Sequence, residues 1–174
     1  MRTSVPGDPA SLAAAGGTAR RVSRDLVALH GRGTTAYGSL GEVWGTSTSV
    51  RTRKQGRRAM DAVTEVGRHA DVVGEALQAY AAELSELQAR ARAVLDAAAA
   101  TGLVVEEGRV REQWGVTGEA DHRTVSERDA RARALQAELD AVAVQHRRRR
   151  DRLLAGLARS RQELEDVAAA LRLG

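Results

Sequence analysis

The sequence predicts an all-α protein, an elongated antiparallel bundle of three long helices. A helical hairpin is followed by a third long helix, with a small β-hairpin between helices 2 and 3. Three observations carry this. Apolar residues fall at Ala59, Val63, Val66, Ala70, Val73, Leu77, Tyr80, Leu84, Leu87, Ala91, Val94 and Ala98. Their steps alternate between four and three, the 3.5-residue repeat of a helix packed lengthwise on other helices. The hydrophobic content is 43%, yet Phe and Cys are absent and only two Trp and two Tyr are present. Such an Ala/Val/Leu core suits close helix packing, because Ala favours helix and presents little area to bury. Finally, the three periodic stretches have matching lengths, so each can lie along its neighbour.

In chain order, Met1–Gly7 reads as a polar tail, with residues 1–8 flexible and 9–174 a single helical domain. Asp8 and Pro9 suit an N-cap and a first helical position. Helix 1, about 9–42, shows a seam at Leu12, Ala15, Ala19, Val22, Leu26, Leu29, Gly33, Ala36, Leu40 and Val43. Trp44, Gly45 and the Ser/Thr residues after them read as a turn and a new cap. Helix 2 spans about 48–100. Its first turns hold Arg51, Arg53, Lys54, Arg57 and Arg58. Positive charge there opposes the helix dipole, so this end is expected to fray or to meet acidic residues.

Leu103-Val104-Val105 and Arg109-Val110-Arg111 flank Glu106-Glu107-Gly108, which predicts a β-hairpin over about 103–111 with Gly108 at positive φ. Gln113–Glu119 reads as a loop. Helix 3 spans about 121–172, with a seam at Val125, Ala132, Leu135, Leu139, Val142 and His146. The seam then slips to Leu153, Leu157, Leu164, Val167/Ala168 and Leu171. The helix is expected either to run through with a stutter or to break near 150–156. The spacings Glu127–Arg131, Arg147–Asp151, Arg159–Glu163 and Arg161–Glu165 suit ion pairs one turn apart.

Little in the chain points to chemistry. Without Cys there is neither disulfide nor thiolate metal site. His30, His69, His122 and His146 lack the spacing of a metal-binding array, although His30 and His69 could approach across the helical hairpin. No nucleophile elbow, phosphate-binding loop or dinucleotide fingerprint occurs. The protein is therefore expected to be non-enzymatic, with no catalytic residue, metal or cofactor. No apolar run is long enough to span a bilayer, and the N-terminus lacks the apolar region of a secretory signal. The net charge of +4 permits polyanion binding, for which Arg147, Arg148, Arg149 and Arg150 are the candidates. A nucleic-acid reading would want a recognition helix or stacking aromatics, and none is evident.

Two long helices joined by a turn bearing Trp44 and Gly45, opened by Gly7-Asp8-Pro9-Ala10 and carrying Ala79-Tyr80-Ala81 in helix 2, resemble the WXG-type substrates of ESX, or type VII, secretion. The chain is similar in particular to the N-terminal targeting regions of actinobacterial polymorphic toxins, over about 7–172. Gly45 directly follows Trp44 where the family turn is Trp-x-Gly, and Leu84 stands where the family's export signal has an acidic residue. The resemblance implies a non-enzymatic interaction protein, either a type VII substrate or a targeting or accessory partner of a secreted toxin. It would be made in the cytoplasm and exported without a signal peptide. The implied partner is a helical protein in a homo- or heterodimer, a toxin or another WXG-type protein, contacted through Trp44, Gly45 and Tyr80. The alternative is a basic coiled-coil protein that binds nucleic acid or another polyanion.

Overall fold

A computed structural model describes residues 5–43, 47–112 and 122–172. It contains three long helices, α1 (Pro9–Val43), α2 (Ser47–Ala100) and α3 (His122–Arg172), with strands β1 (Leu103–Glu106) and β2 (Arg109–Glu112) between α2 and α3. The predicted class, three long helices with a small hairpin before the third, is what the chain adopts. The turn around Trp44 and the loop at Gln113–Glu119 lie outside the described residues. The chain packs as two compact units. One comprises residues 1–9 and 81–151, the other 10–80 and 152–174.

In the first unit, one face of α2 is sealed. Leu84, Leu87, Ala91, Val94 and Ala98 are at most 2% exposed, and Leu135, Leu139 and Val142 of α3 are at most 4%. α2 stops at Gly102, whose φ of 68° is a left-handed cap. Its amide bonds Ala99 O at 3.1 Å, and the Thr101 amide bonds Ala98 O at 3.0 Å. The hairpin pairs Glu106 with Arg109, which leaves a two-residue turn. Both of its residues take positive φ, Glu107 at 52° and Gly108 at 78°. This is the type I′ pattern that suits strand twist; the expected positive φ at Gly108 is present and Glu107 shares it. Leu103 reaches from β1 into the cluster of Val94, Ala98, Leu135 and Leu139. Gln136 of α3 holds β2, accepting from the Val110 amide at 2.8 Å and donating to Gly108 O at 3.1 Å.

From Val5 onward the N-terminal stretch is packed rather than tail-like. Val5 is 1% exposed. Gln88 of α2 donates to Val5 O at 3.3 Å and Gly7 O at 2.9 Å. Gly7 has φ 125° and lies under Leu84, where an added Cβ would come within 2.8 Å of Leu84 Cδ2.

In the second unit, α1 and α2 are antiparallel. The inward positions of α1 are Leu12, Gly16, Ala19, Ser23, Leu26, His30, Gly33 and Tyr37, again alternating four and three. This corrects the expected seam. Leu12, Ala19, Leu26 and Gly33 do face in, but Ala15, Val22, Leu29 and Ala36 are exposed and the second row is Gly16, Ser23, His30 and Tyr37. Close backbone approach decides the rotation. A Cβ on Gly16 would sit 2.7 Å from Gly74 O, and one on Gly74 would sit 2.8 Å from Gly16 O. Gly67 faces Leu26 and Ser23, and Gly56 lies against the Tyr37 ring. Only an absent side chain lets the two backbones come so near.

α3 is continuous from His122 to Arg172, so the break considered near 150–156 does not occur. Its covered positions run through Arg128, Ala132, Leu135, Leu139, Val142, His146, Arg149, Leu153, Gly156 and Ser160 in unbroken alternation. The slip expected after His146 is removed because Arg149 itself occupies the seam. The stutter comes later, as two successive steps of four from Gly156 to Ser160 to Leu164. Val125, placed in the expected seam, is 42% exposed. Of the four expected ion pairs, Arg161–Glu165 forms at 3.4 Å. Glu127 instead pairs with Arg123 and Asp151 with Arg150, while Glu163 Oε2 lies 3.4 Å from His69 Nε2.

Two glycines of α1 should respond oppositely to Ala. Gly31→Ala, where nothing lies within 4 Å of the new Cβ, should stabilise by about 1 kcal/mol through helix propensity. Gly16→Ala should destabilise by about 1–3 kcal/mol despite the same propensity gain, because the helices must part. Urea midpoints of the two variants test this, and a stabilising Gly16→Ala would contradict the packing.

Candidate interaction face

Residues 10–80 and 152–172 place three helices so that one apolar face stays open. Facing α1, α2 uses Ser49, Arg53, Gly56, Met60, Val63, Gly67, Ala70, Gly74 and Leu77, a row fixed by the close contacts at Gly56, Gly67 and Gly74. A second row, Ala59, Ala62, Val66, His69, Val73 and Ala76, carries the α3 side. His69 Nε2 lies 3.4 Å from Glu163 Oε2, and Ala59 and Ala62 share a cleft with Val167 and Leu171. At 3.6 residues per turn, and compared over the same stretch, the two rows are centred about 100° apart around α2. That is more than a right angle and too wide for three helices to close on one another.

The edges of α1 and α3 are set by their polar contacts. Arg20 Nε bonds Asp71 Oδ1 at 3.2 Å, and Arg20 Nη1 donates to Gln78 Oε1 at 3.4 Å. Asp71 and Gln78 lie on the side of α2 away from α3. Arg20 therefore marks the outer edge of α1, and helical geometry puts Ala15, Val22, Leu29 and Ala36 on the opposite edge, toward α3. On α3, Ala170 and Leu171 border the cleft with Arg58, Asp61 and Glu65, about 680 Å³ in volume. The other edge of α3, with Leu154, Leu157, Leu164 and Ala168, then faces α1.

Between these edges runs the row that organises the sequence pattern, Ala59, Val63, Val66, Ala70, Val73 and Leu77. Every one of these is only partly covered. The continuation of the same repeat, Leu84 to Ala98, is 0–2% exposed. Beside the open row, Val22 is 44% exposed, Leu29 42% and Leu154 54%. Asp25 and Arg32 lie one turn from Val22 and Leu29 on α1, both exposed. The basic first turns of α2 belong to this unit and are helical from Ser47. Among the described residues, Arg51, Arg53, Lys54, Arg57 and Arg58 pair with no carboxylate; Arg53 Nε donates to Ser49 O at 3.3 Å. The acidic neighbours expected for this end are not supplied from the described chain.

Of the partner-binding residues singled out from sequence, only Tyr80 is among the described residues. Trp44 and Gly45 lie outside the described residues. Tyr80 is 7% exposed, so its ring belongs to the interior and offers no recognition surface. Arg149 lies over α2, with Nε 3.7 Å from Glu83 Oε2 and Nη1 3.4 Å from Glu86 Oε2. Arg150 bonds Asp151 at 2.9 Å, which leaves Arg147 and Arg148 as the exposed members of that run outside an ion pair. His30 and His69 do not meet. His30 Nδ1 lies 3.1 Å from Met60 O and 3.0 Å from Thr64 Oγ1. His69 sits 2% exposed between Arg68 and Glu163 with Nδ1 unpartnered. Among the described residues no group of three His, Cys, Asp or Glu could hold a metal ion. None of the described helices is long and apolar enough to cross a membrane.

The open edge of α1 was present in the sequence as Val22 and Leu29, but there it read as buried. The signal that it faces out is the parallel row of small residues Gly16 and Ser23, matched by Gly67 and Gly74 on α2. No protein-family model, curated protein or solved structure matches the chain.

His146 is 8% exposed, and its pKa is held below the ordinary 6.5 by burial first, then by Arg150 and Arg147, with Asp151 opposing. The fold thus favours the neutral ring. Its contribution is complete above about pH 6.5 and lost as pH falls below that toward the folded value. His146→Leu should therefore flatten the acid side of the stability profile. Urea midpoints at pH 7.5 and pH 5.5 for both proteins test this, and an equal acid loss in the variant would show that His146 is not the group responsible.

Proposed function

We propose that the protein is a helix-docking partner, in which the face between α1 and α3 receives one helix of another protein. The observation that carries this is the contrast along α2. One 3.5-residue repeat is sealed in one unit and left partly open in the other, with Val22, Leu29 and Leu154 exposed beside it. A seam in that repeat is complementary to a helix laid lengthwise, because knobs on the incoming helix meet holes at the same interval. Full burial of a Val or Leu side chain is worth about 1.5–3 kcal/mol, so covering the exposed halves of several yields a usable interaction before the entropy of association is subtracted.

The setting proposed for this pairing is type VII secretion, with the chain a substrate or a targeting or accessory partner of a secreted toxin. Its support is the sequence resemblance around Gly7–Ala10, Trp44-Gly45 and Ala79–Ala81.

The test is co-expression with the helical proteins encoded beside its gene. The wild-type chain should co-purify stoichiometrically with one of them, and Val22→Glu/Leu29→Glu should lose at least about tenfold of the complex while keeping its helical circular dichroism. Retention of the complex by the double variant would overturn the docking face. Unchanged secretion of a neighbouring toxin after deletion of the gene, with the protein itself confined to the cell, would overturn the secretion setting.

A further inference from the structure

We propose that the outer groove between α1 and α2 is a binding site for a small aromatic carboxylate. A cleft of about 390 Å³ opens there, within the range of roughly 300–1,000 Å³ common to ligand sites. Helical spacing carries the Arg20 edge of α1 on to Thr34 and Gly38, which both line the cleft. The cleft thus lies on the edge of α1 opposite Val22 and Leu29. It is separate from the docking face and holds whether or not a helix docks there. Its α1 wall is low because Gly38 has no side chain, and a Cβ at that position would meet nothing within 4 Å.

The apolar wall is fixed by the fold. The Tyr37 ring lies against Gly56, where an added Cβ would come within 2.6 Å of Cε1. The Met60 side chain lies over Gly33, and His30 is anchored by Nδ1, 3.1 Å from Met60 O. A flat ring can stack on Tyr37 and meet the Met60 thioether. The rim is cationic. Arg53 and Arg57 stand one turn apart on α2 and both line the cleft. Arg53 is half-buried with Nε donating to Ser49 O at 3.3 Å, and neither guanidinium has a carboxylate partner among the described residues. Like charges one turn apart repel, and an oxyanion held between them removes that cost while accepting charge-assisted hydrogen bonds. Asp61 also borders the cleft and forms no ion pair among the described residues. Two guanidinium groups against one carboxylate leave a formal surplus of one positive charge, with His30 counted as neutral. A monoanion balances that surplus, which selects a carboxylate over a phosphate dianion.

The experiment titrates the full, isotope-labelled chain and follows its amide chemical shifts. The probes are naphthoate, neutral naphthalenemethanol, acetate and naphthyl phosphate. Naphthoate is expected to shift the amides around Thr34–Gly38 and Arg53–Asp61, and to bind at least about tenfold more tightly than the alcohol or acetate. Arg53→Gln/Arg57→Gln should weaken it by at least about tenfold. Arg152→Gln/Arg159→Gln, which removes two exposed charges from the same unit, should bind as the wild type does. Gly38→Leu should abolish binding by filling the cleft. It keeps both arginines and gains helix propensity, so its helical circular dichroism should be intact. Equal affinity for naphthoate and the alcohol would overturn the anionic assignment, and equal affinity for acetate the aromatic one. Tighter binding of naphthyl phosphate than of naphthoate would overturn the choice of carboxylate. Wild-type affinity in Gly38→Leu, an equal loss in Arg152→Gln/Arg159→Gln, or shifts confined to other residues would overturn the site itself.

Discussion

The approach of α1 to α2 at Gly16 and Gly74 constrains most of the packing within residues 10–80. Each glycine's missing side chain is the space that the other's carbonyl occupies. Once the backbones are that close, Ser23 must lie over Gly67 and Tyr37 over Gly56, and α1 can rotate no further. The rotation turns Val22 and Leu29 out of the α1–α2 contact. A larger residue at either glycine would separate the helices and allow the more apolar row to turn inward. Small residues thus do more than permit close packing here. They determine which hydrophobic residues remain outside.

α2 meets its neighbours in two ways along its length. Between Leu84 and Ala98 its single apolar row is closed by α3, by Leu103 from the hairpin and by the N-terminal segment. Two amide side chains hold those smaller pieces, Gln88 on the N-terminal carbonyls and Gln136 on β2. Between Ser49 and Leu77 the helix serves two neighbours from two different rows, and the row between them is shared by both and filled by neither. The open face is therefore a consequence of the angle between α1 and α3 around α2, not of weak hydrophobic patterning.

Electrostatics divides along the same lines. The Arg147–Arg150 run, the most conspicuous charge feature of the sequence, is partly consumed inside the fold. Arg149 takes a seam position and is held by Glu83 and Glu86, and Arg150 is held by Asp151. Arginine suits this place because its long apolar stem covers neighbouring side chains while the guanidinium reaches carboxylates at the rim. At the less conspicuous start of α2, Arg51, Lys54, Arg57 and Arg58 form no ion pair among the described residues.

The three helices, the hairpin and most of their limits were legible in the sequence, because a 3.5-residue repeat, Pro9 and Gly108 act locally through backbone geometry. The sealed row from Leu84 to Ala98 was legible for the same reason. The orientation of α1 was not. Leu12, Ala19, Leu26 and Gly33 are compatible with two adjacent rows, Ala15–Val22–Leu29–Ala36 and Gly16–Ser23–His30–Tyr37, and hydropathy selects the first. Backbone proximity selects the second, and it depends on Gly67 and Gly74, more than forty residues beyond Ser23 and Gly16. Likewise the repeat continues unchanged through Ala59–Ala98, but whether a position in it is covered depends on how many helices surround it and at what angle. Local periodicity thus determined the elements, whereas only the tertiary structure decided which apolar face of them is open to a partner.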